Sequence, residues 1–215
     1  MPPGIIIRKF EVRDRGAVRK IVHDTALMGE SAAIFFQGEE VLSDAFSLYF
    51  TDYEPESCFV AENNAEVTGY LIGAKSKSRA EAVFARRIAA PLLLKALRQG
   101  IFLKPKNLIF ILGCLKDLLI NGMRTPDFNR RFPATLHVNI KNGFRGQDTG
   151  SRLIAAYLDY LRKEKIPGVH LATMSEGGAN FFLSQGFELL YKGRRSYFRQ
   201  VLKRDVPLFI FGRRL

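Results

Sequence analysis

Arg145-Gly146-Gln147-Asp148-Thr149-Gly150 decides the reading of this chain. The run lies between an extended segment, Ala134 to Ile140, and a segment of helical spacing, Ser151 to Lys163. A glycine-bearing turn that leads into a helix start leaves several backbone N–H groups unpaired and converging, and the helix dipole adds partial positive charge at the same point. The expectation is a loop sized for a pyrophosphate. Two glycines also occur in turns that bind nothing, so the order of elements around the loop has to carry the argument.

Working outward, Val169 to Met174 reads as a strand, and a short helical stretch ends at Gly186-Phe187. Glu188 to Lys192 and Ser196 to Leu202 follow with the pattern of a hairpin. Upstream, Ile5 to Phe10 is short and β-branched, as a buried first strand would be. Val12 to Met28 repeats Val18, Ile21, Val22, Ala26 and Leu27 at helical spacing, and Gly38 to Tyr53 predicts a second helix that stops before Pro55. Ser57 to Glu62 and Glu66 to Gly73 are strand candidates joined by a tight turn at Asn63-Asn64-Ala65. Leu208 to Phe211 predicts an extra C-terminal strand or a dimer contact.

This order, the loop from Arg145 to Gly150, and the ending Phe181-Phe182 to Gly186-Phe187 together resemble the GNAT superfamily of N-acetyltransferases. The resemblance covers residues 5 to about 73 weakly and 134 to about 202 with more force. It implies one α/β (α+β) domain over residues 1–215, with a mixed, mostly antiparallel central sheet flanked by helices. It also implies acetyl-CoA as co-substrate, an amine of a small molecule or peptide as acceptor, and no metal. In that reading the backbone of Val138 and Ile140 holds the pantetheine arm. Arg145, Gly146, Gln147, Asp148, Thr149, Gly150 and Ser151 take the pyrophosphate, and Asn180 and Phe182 also meet the cofactor. Three residues depart from the family pattern. Asp148 replaces its first glycine, Phe182 replaces a tyrosine thought to protonate the departing thiolate, and Ser175 replaces a frequent asparagine. These departures support a second reading: the same fold with weakened or lost chemistry, binding an acyl-CoA or a partner.

Strand alternation places His137 and Asn139 on the face opposite Leu136, Val138 and Ile140, which makes His137 the candidate base. His170 lies in the next strand and is a weaker candidate, and Glu176 stands near a helix start. Tyr197, and behind it Tyr191, are candidates for the missing acid. The catalytic set is therefore His137, Asn139 and Tyr197.

Composition narrows the partners. Of the net charge of +12, a segment from Lys75 to Arg131 supplies +10, with 13 Lys or Arg against 3 Asp or Glu. Charge confined in this way, with aromatics not interleaved among the basic residues, argues against nucleic acid as a partner. The segment, about 75–131, reads as an insertion of two helices, Glu81 to Gln99 and Asn107 to Asn121, forming a helical hairpin. It either packs on the sheet or on a second subunit of a homodimer, or brings residues 84–120 to an anionic membrane surface or another polyanion. No run approaches the roughly 20 apolar residues of a membrane span, and the start lacks a secretory layout, so the expected location is cytoplasmic. Cys58 and Cys114 have neither disulfide nor metal-ligand spacing.

Overall fold

Among the described residues, seven strands form one sheet: β1 (Ile6–Lys9), β2 (Phe59–Asn63), β3 (Glu66–Ala74), β4 (Ala134–Ile140), β5 (Gly168–Thr173), β6 (Glu188–Arg195) and β7 (Val206–Arg214). Their order is β1-β2-β3-β4-β5-β7-β6, antiparallel throughout except where β4 meets β5. The helices are α1 (Arg15–Thr25), α2 (Glu39–Tyr53), α3 (Lys77–Val83), α4 (Ala89–Arg98), α5 (Pro105–Asn121), α6 (Thr149–Lys163), α7 (Glu176–Ser184) and α8 (Arg199–Leu202). This computed structural model describes residues 4–121 and 125–215. Residues 1–3, at the start used for the leader argument, and residues 122–124 of the expected insertion lie outside the described residues.

Helix α6 presents Leu153, Ile154, Tyr157, Leu158 and Leu161 to one face of the sheet, a helical repeat that meets Leu71, Leu136, Val169, Leu171 and Phe211. Each such side chain, fully buried, stabilises the fold by about 1.5–3 kcal/mol. On the other face, Val18, Ile21 and Val22 of α1 pack on Val60, Tyr70 and Ile72. The β2–β3 turn has positive φ at Asn64 (50°) and Ala65 (63°), as two-residue hairpins require. Tyr157 crosses from α6 to the sheet and donates from one hydroxyl to the carbonyls of Ala74 (3.1 Å) and Thr135 (2.8 Å). Those residues are partners across β3 and β4. Gly73 leaves space for that ring, since a Cβ there would lie 2.4 Å from it.

One expectation fails. Ser196 to Leu202 is not the second strand of the terminal hairpin; it forms a turn and α8, and β6 pairs instead with β7. The run Leu208 to Phe211 is the C-terminal strand of the two alternatives, internal between β5 and β6 and buried along its whole length. The reason lies in Pro207, which is tolerated at the second position of β7, and in the continuous apolar run that a strand buried on both faces needs. In the insertion, α3 runs through a π-helical segment, Phe84–Ile88, into α4. Helix α4 rests mainly on α2, while α5 rests on α8, so the two helices do not pair chiefly with each other. Both feed an aromatic cluster in which Phe35 meets Phe110 (4.7 Å) and Phe198 (5.0 Å).

Candidate functional site

The parallel ladder between β4 and β5 is only two residues long, Ala134 with Val169 and Thr135 with His170. From there β4 pairs only with β3, as far as Ile140 opposite Gly69, and β5 pairs only with β7. The strands part, and the edge of β4 that carries Val138 and Ile140 loses its partner. Such a gap exposes backbone donors and acceptors that need satisfaction from elsewhere.

At the end of β4 the chain turns through 141–148 into α6. Gly143 (φ 89°) and Gly146 (φ 78°) supply two left-handed turns. Asp148 caps α6 with φ 58° and ψ 8°, also left-handed, a region aspartate enters more readily than most side chains. Arg152 is the first amide to enter the helix ladder, donating to the Asp148 carbonyl at 3.1 Å. The amides of Asp148, Thr149, Gly150 and Ser151 have no acceptor among the described residues. The Thr149 hydroxyl, buried in this first turn, is also without a partner there. Four open amides and a helix dipole converge at one point, an arrangement suited to an anion. Gly150 is close under α7, because a Cβ there would lie 3.0 Å from the Phe181 ring.

Of the loop side chains, Arg145 is committed to protein. Its Nε donates to the Ile140 carbonyl (3.2 Å) and its Nη2 to the Gly29 carbonyl (3.0 Å), tying the loop to the turn after α1. Gly29 has φ 101°, and a Cβ there would approach the guanidinium to 2.9 Å. Gln147 and Asp148 are exposed, and Gly146 has open space around it. Arg152 donates to the Ile5 carbonyl at 2.8 Å.

His137 and Asn139 do share a face of β4, and a residue missed in the sequence joins them. Tyr70 lies directly opposite Asn139 in register, and its hydroxyl accepts from Asn139 Nδ2 (3.0 Å) while lying 3.0 Å from His137 Nδ1. With the amide donating to Tyr70, the phenolic hydrogen goes to Nδ1 and the imidazole hydrogen sits on Nε2. Desolvation pushes the His137 pKa down to about 4, so the ring is neutral at ordinary pH. Burial likewise holds the Tyr70 hydroxyl protonated. Phe46 stacks over His137 at 6.5 Å between ring centroids.

Tyr197 stands at the other side of the gap. Its hydroxyl donates to the Met174 sulfur (2.9 Å), one residue past the end of β5, and its ring packs on Phe198 and Phe110. Burial raises its pKa to about 12. The remaining candidates are placed otherwise. Phe182 turns into the core against Phe187 (5.7 Å) and Phe211 (6.2 Å), and Phe181 is the ring that reaches the loop. Asn180 is exposed on α7. His170 is tied through Nδ1 to the Phe132 carbonyl at 2.6 Å, a structural bond. Ser175 caps α7 by accepting from the Gly178 amide (3.0 Å). A separate cavity of about 360 Å³ lies between α2 and the helical insertion, lined by Tyr49, Tyr53, Arg79, Arg86 and Arg87, and does not open on these residues.

The chain as a whole is similar to a group of solved structures. SsHAT is 23% identical, with 99% of this chain and 98% of that chain covered and a TM-score of 0.74. The chain has the GNAT fold. Drosophila melanogaster polyamine N-acetyltransferase, which catalyses the formation of N-acetylagmatine, shares that fold at 16% identity, with 99% and 100% coverage and a TM-score of 0.61. So does yncA from Salmonella typhimurium, solved with its cofactor acetyl-CoA, at 16% identity, 98% and 94% coverage and a TM-score of 0.58. No family model matches the sequence, and no curated protein matches it.

Proposed function

We propose that this protein is an acetyl-CoA-dependent N-acetyltransferase acting on an amine of a small molecule or peptide. The observation that carries the proposal is the combination of a parted β4–β5 pair with four acceptor-free amides, Asp148 to Ser151, at the start of α6. The solved relatives support the co-substrate, one of them having been solved with acetyl-CoA and another, NatC, with CoA and a peptide. The residues fit that molecule: the open amides suit a pyrophosphate, and the edge of β4 at Val138, beyond the short β4–β5 ladder, suits an amide-bearing arm.

Bound there, acetyl-CoA supplies an already activated thioester, so the protein's part is positioning, exclusion of water and management of protons. Arg145 holds the loop against Gly29, which fixes the amides' direction. Gly150 allows α7 to close over them. Tyr197, kept protonated by burial at the end of β5, is the proton donor in this proposal; its hydroxyl takes the role that Phe182 lacks the atoms to perform. His137 enters as a neutral ring with its hydrogen on Nε2. Its depressed basicity makes it a positioning residue toward the acceptor, with the amine's proton leaving to solvent. Incubation with acetyl-CoA and a panel of polyamines, amino acids and peptide N-termini, read by mass spectrometry, tests the activity. An acetylated amine above the uncatalysed rate is expected, and no transfer to any of them at high enzyme concentration contradicts it.

A further inference from the structure

Helix α5 is turned inside out. Two of its polar residues face the protein: Asn107 is fully buried, accepting from the Gln37 amide (2.6 Å) and donating to the carbonyls of Gln37 (2.8 Å) and Ile101 (2.9 Å). Ten residues on, buried Asp117 accepts from the amide (2.5 Å) and hydroxyl (2.7 Å) of Ser196. Between them Gly113 lies against the backbone of Tyr197, where a Cβ would meet the carbonyl oxygen at 2.9 Å. These three contacts fix the rotation of the helix. The opposite stripe, Leu108, Leu112, Leu115 and Leu119, with Ile109 beside it, is consequently exposed, and Leu103 in the turn before it is 87% exposed. Most of the large apolar side chains exposed among the described residues lie between 93 and 119. A soluble surface rarely concentrates them so.

The surrounding charge selects an occupant. Residues 86–116 hold seven Lys or Arg and no Asp or Glu. Arg86, Arg87, Arg98 and Lys116 have no ion-pair partner among the described residues. Lys95 is already paired with Glu40 and Asp44, but a second copy seated on this face by a two-fold would still bring the unpaired cations of one copy toward those of the other. A bilayer with anionic headgroups instead offers negative charge at the rim and hydrocarbon at the centre. No helix among the described residues is long and apolar enough to cross a membrane, and α5, 17 residues long and pinned along one side, would lie flat. We propose that the α5 face docks this protein on an anionic lipid surface, its leucine stripe entering the headgroup boundary and its lysines and arginines meeting lipid phosphates and carboxylates. This inference stands apart from the acetyltransferase reading.

Flotation with vesicles of pure phosphatidylcholine and of phosphatidylcholine with about one third phosphatidylserine, in low and high salt, tests it. The variant Leu112→Glu/Leu115→Glu changes only exposed side chains, and its circular dichroism and thermal unfolding serve as controls for folding. Expected is at least about tenfold stronger partitioning to the anionic vesicles at low salt, weakened by salt, and lost in the variant. Lys116→Glu should reduce it by severalfold. No association at low salt, or equal association by the double variant, overturns the proposal. So does a dimer in light scattering that the double variant dissociates while the parent protein fails to float; the face would then belong to a second copy.

Discussion

Asp148 is the residue at which structure and proposed function pull against each other most clearly, and replacing it by asparagine measures how much. Its carboxylate stands at the cap of α6, next to the four amides that face the proposed pyrophosphate. Two unit charges about 6 Å apart, at an effective dielectric of roughly 60, interact by about 1 kcal/mol. A diphosphate carries about two charges, which gives about 2 kcal/mol of repulsion before screening. At physiological salt, with a Debye length of about 8 Å, roughly half survives, so Asp148→Asn should tighten CoA binding about fivefold. In low salt, where the Debye length is about 30 Å, the gain should exceed tenfold. Asparagine keeps the left-handed cap (φ 58°) without new strain, so the thermal midpoint should move by less than about 0.5 kcal/mol equivalent. Isothermal titration with CoA at the two salt concentrations reads the effect. Unchanged affinity, or a gain that does not depend on salt, would refute the electrostatic reasoning and place the ligand's phosphates elsewhere.

Four further substitutions test the same geometry. Tyr197→Phe should lower turnover by about 10²-fold or more while leaving CoA affinity unchanged; equal loss of both in steady-state kinetics and titration would show that Tyr197 only packs. Gly73→Ala should destabilise the fold by about 3 kcal/mol, because the added carbon meets the buried Tyr157 ring at 2.4 Å, and Tyr157→Phe by about 1 kcal/mol through loss of the one hydroxyl hydrogen shared between two carbonyls, both read by urea unfolding. His137 is neutral when folded down to about pH 4 but titrates near 6.5 when unfolded, so the unfolded chain binds the extra proton between those values. Stability should therefore fall as pH drops from 6.5 to 4, by up to about 3 kcal/mol. His137→Phe should flatten that slope in urea titrations at pH 4.5, 5.5 and 7, and an unchanged slope would assign it to other groups.

Sequence reasoning reached the fold because the decisive elements are local. The strand Ala134 to Ile140 lies where its alternation puts it, and α6 begins two residues earlier than its apolar spacing alone suggests. The terminal hairpin escaped because Ser196 to Leu202 carries β-prone residues, while its true partner, Val206–Arg214, is fixed only by pairing with both β5 and β6. The site was legible in outline and not in detail. Residue order says nothing of the β3–β4 register that sets Tyr70 beside Asn139 and His137, nor of how α7 rotates to present Phe181 to the loop and Phe182 to the core. In α5 the apolar pattern left packing and surface exposure both open, because leucines lie on most sides of the helix. Buried Asn107 and Asp117, tied to loops far along the chain, set the rotation.

The central claim is that the amides of Asp148 to Ser151 hold the pyrophosphate of acetyl-CoA with its arm running into the gap between β4 and β5. A crystal structure with acetyl-CoA at millimolar concentration tests it most directly. Phosphate density within hydrogen-bond distance of those amides, and the thioester between Val138 and the end of β5, is the predicted result. Density for the cofactor at another place, or the first turn of α6 closed by its own Asp148 carboxylate with no cofactor bound, would contradict it.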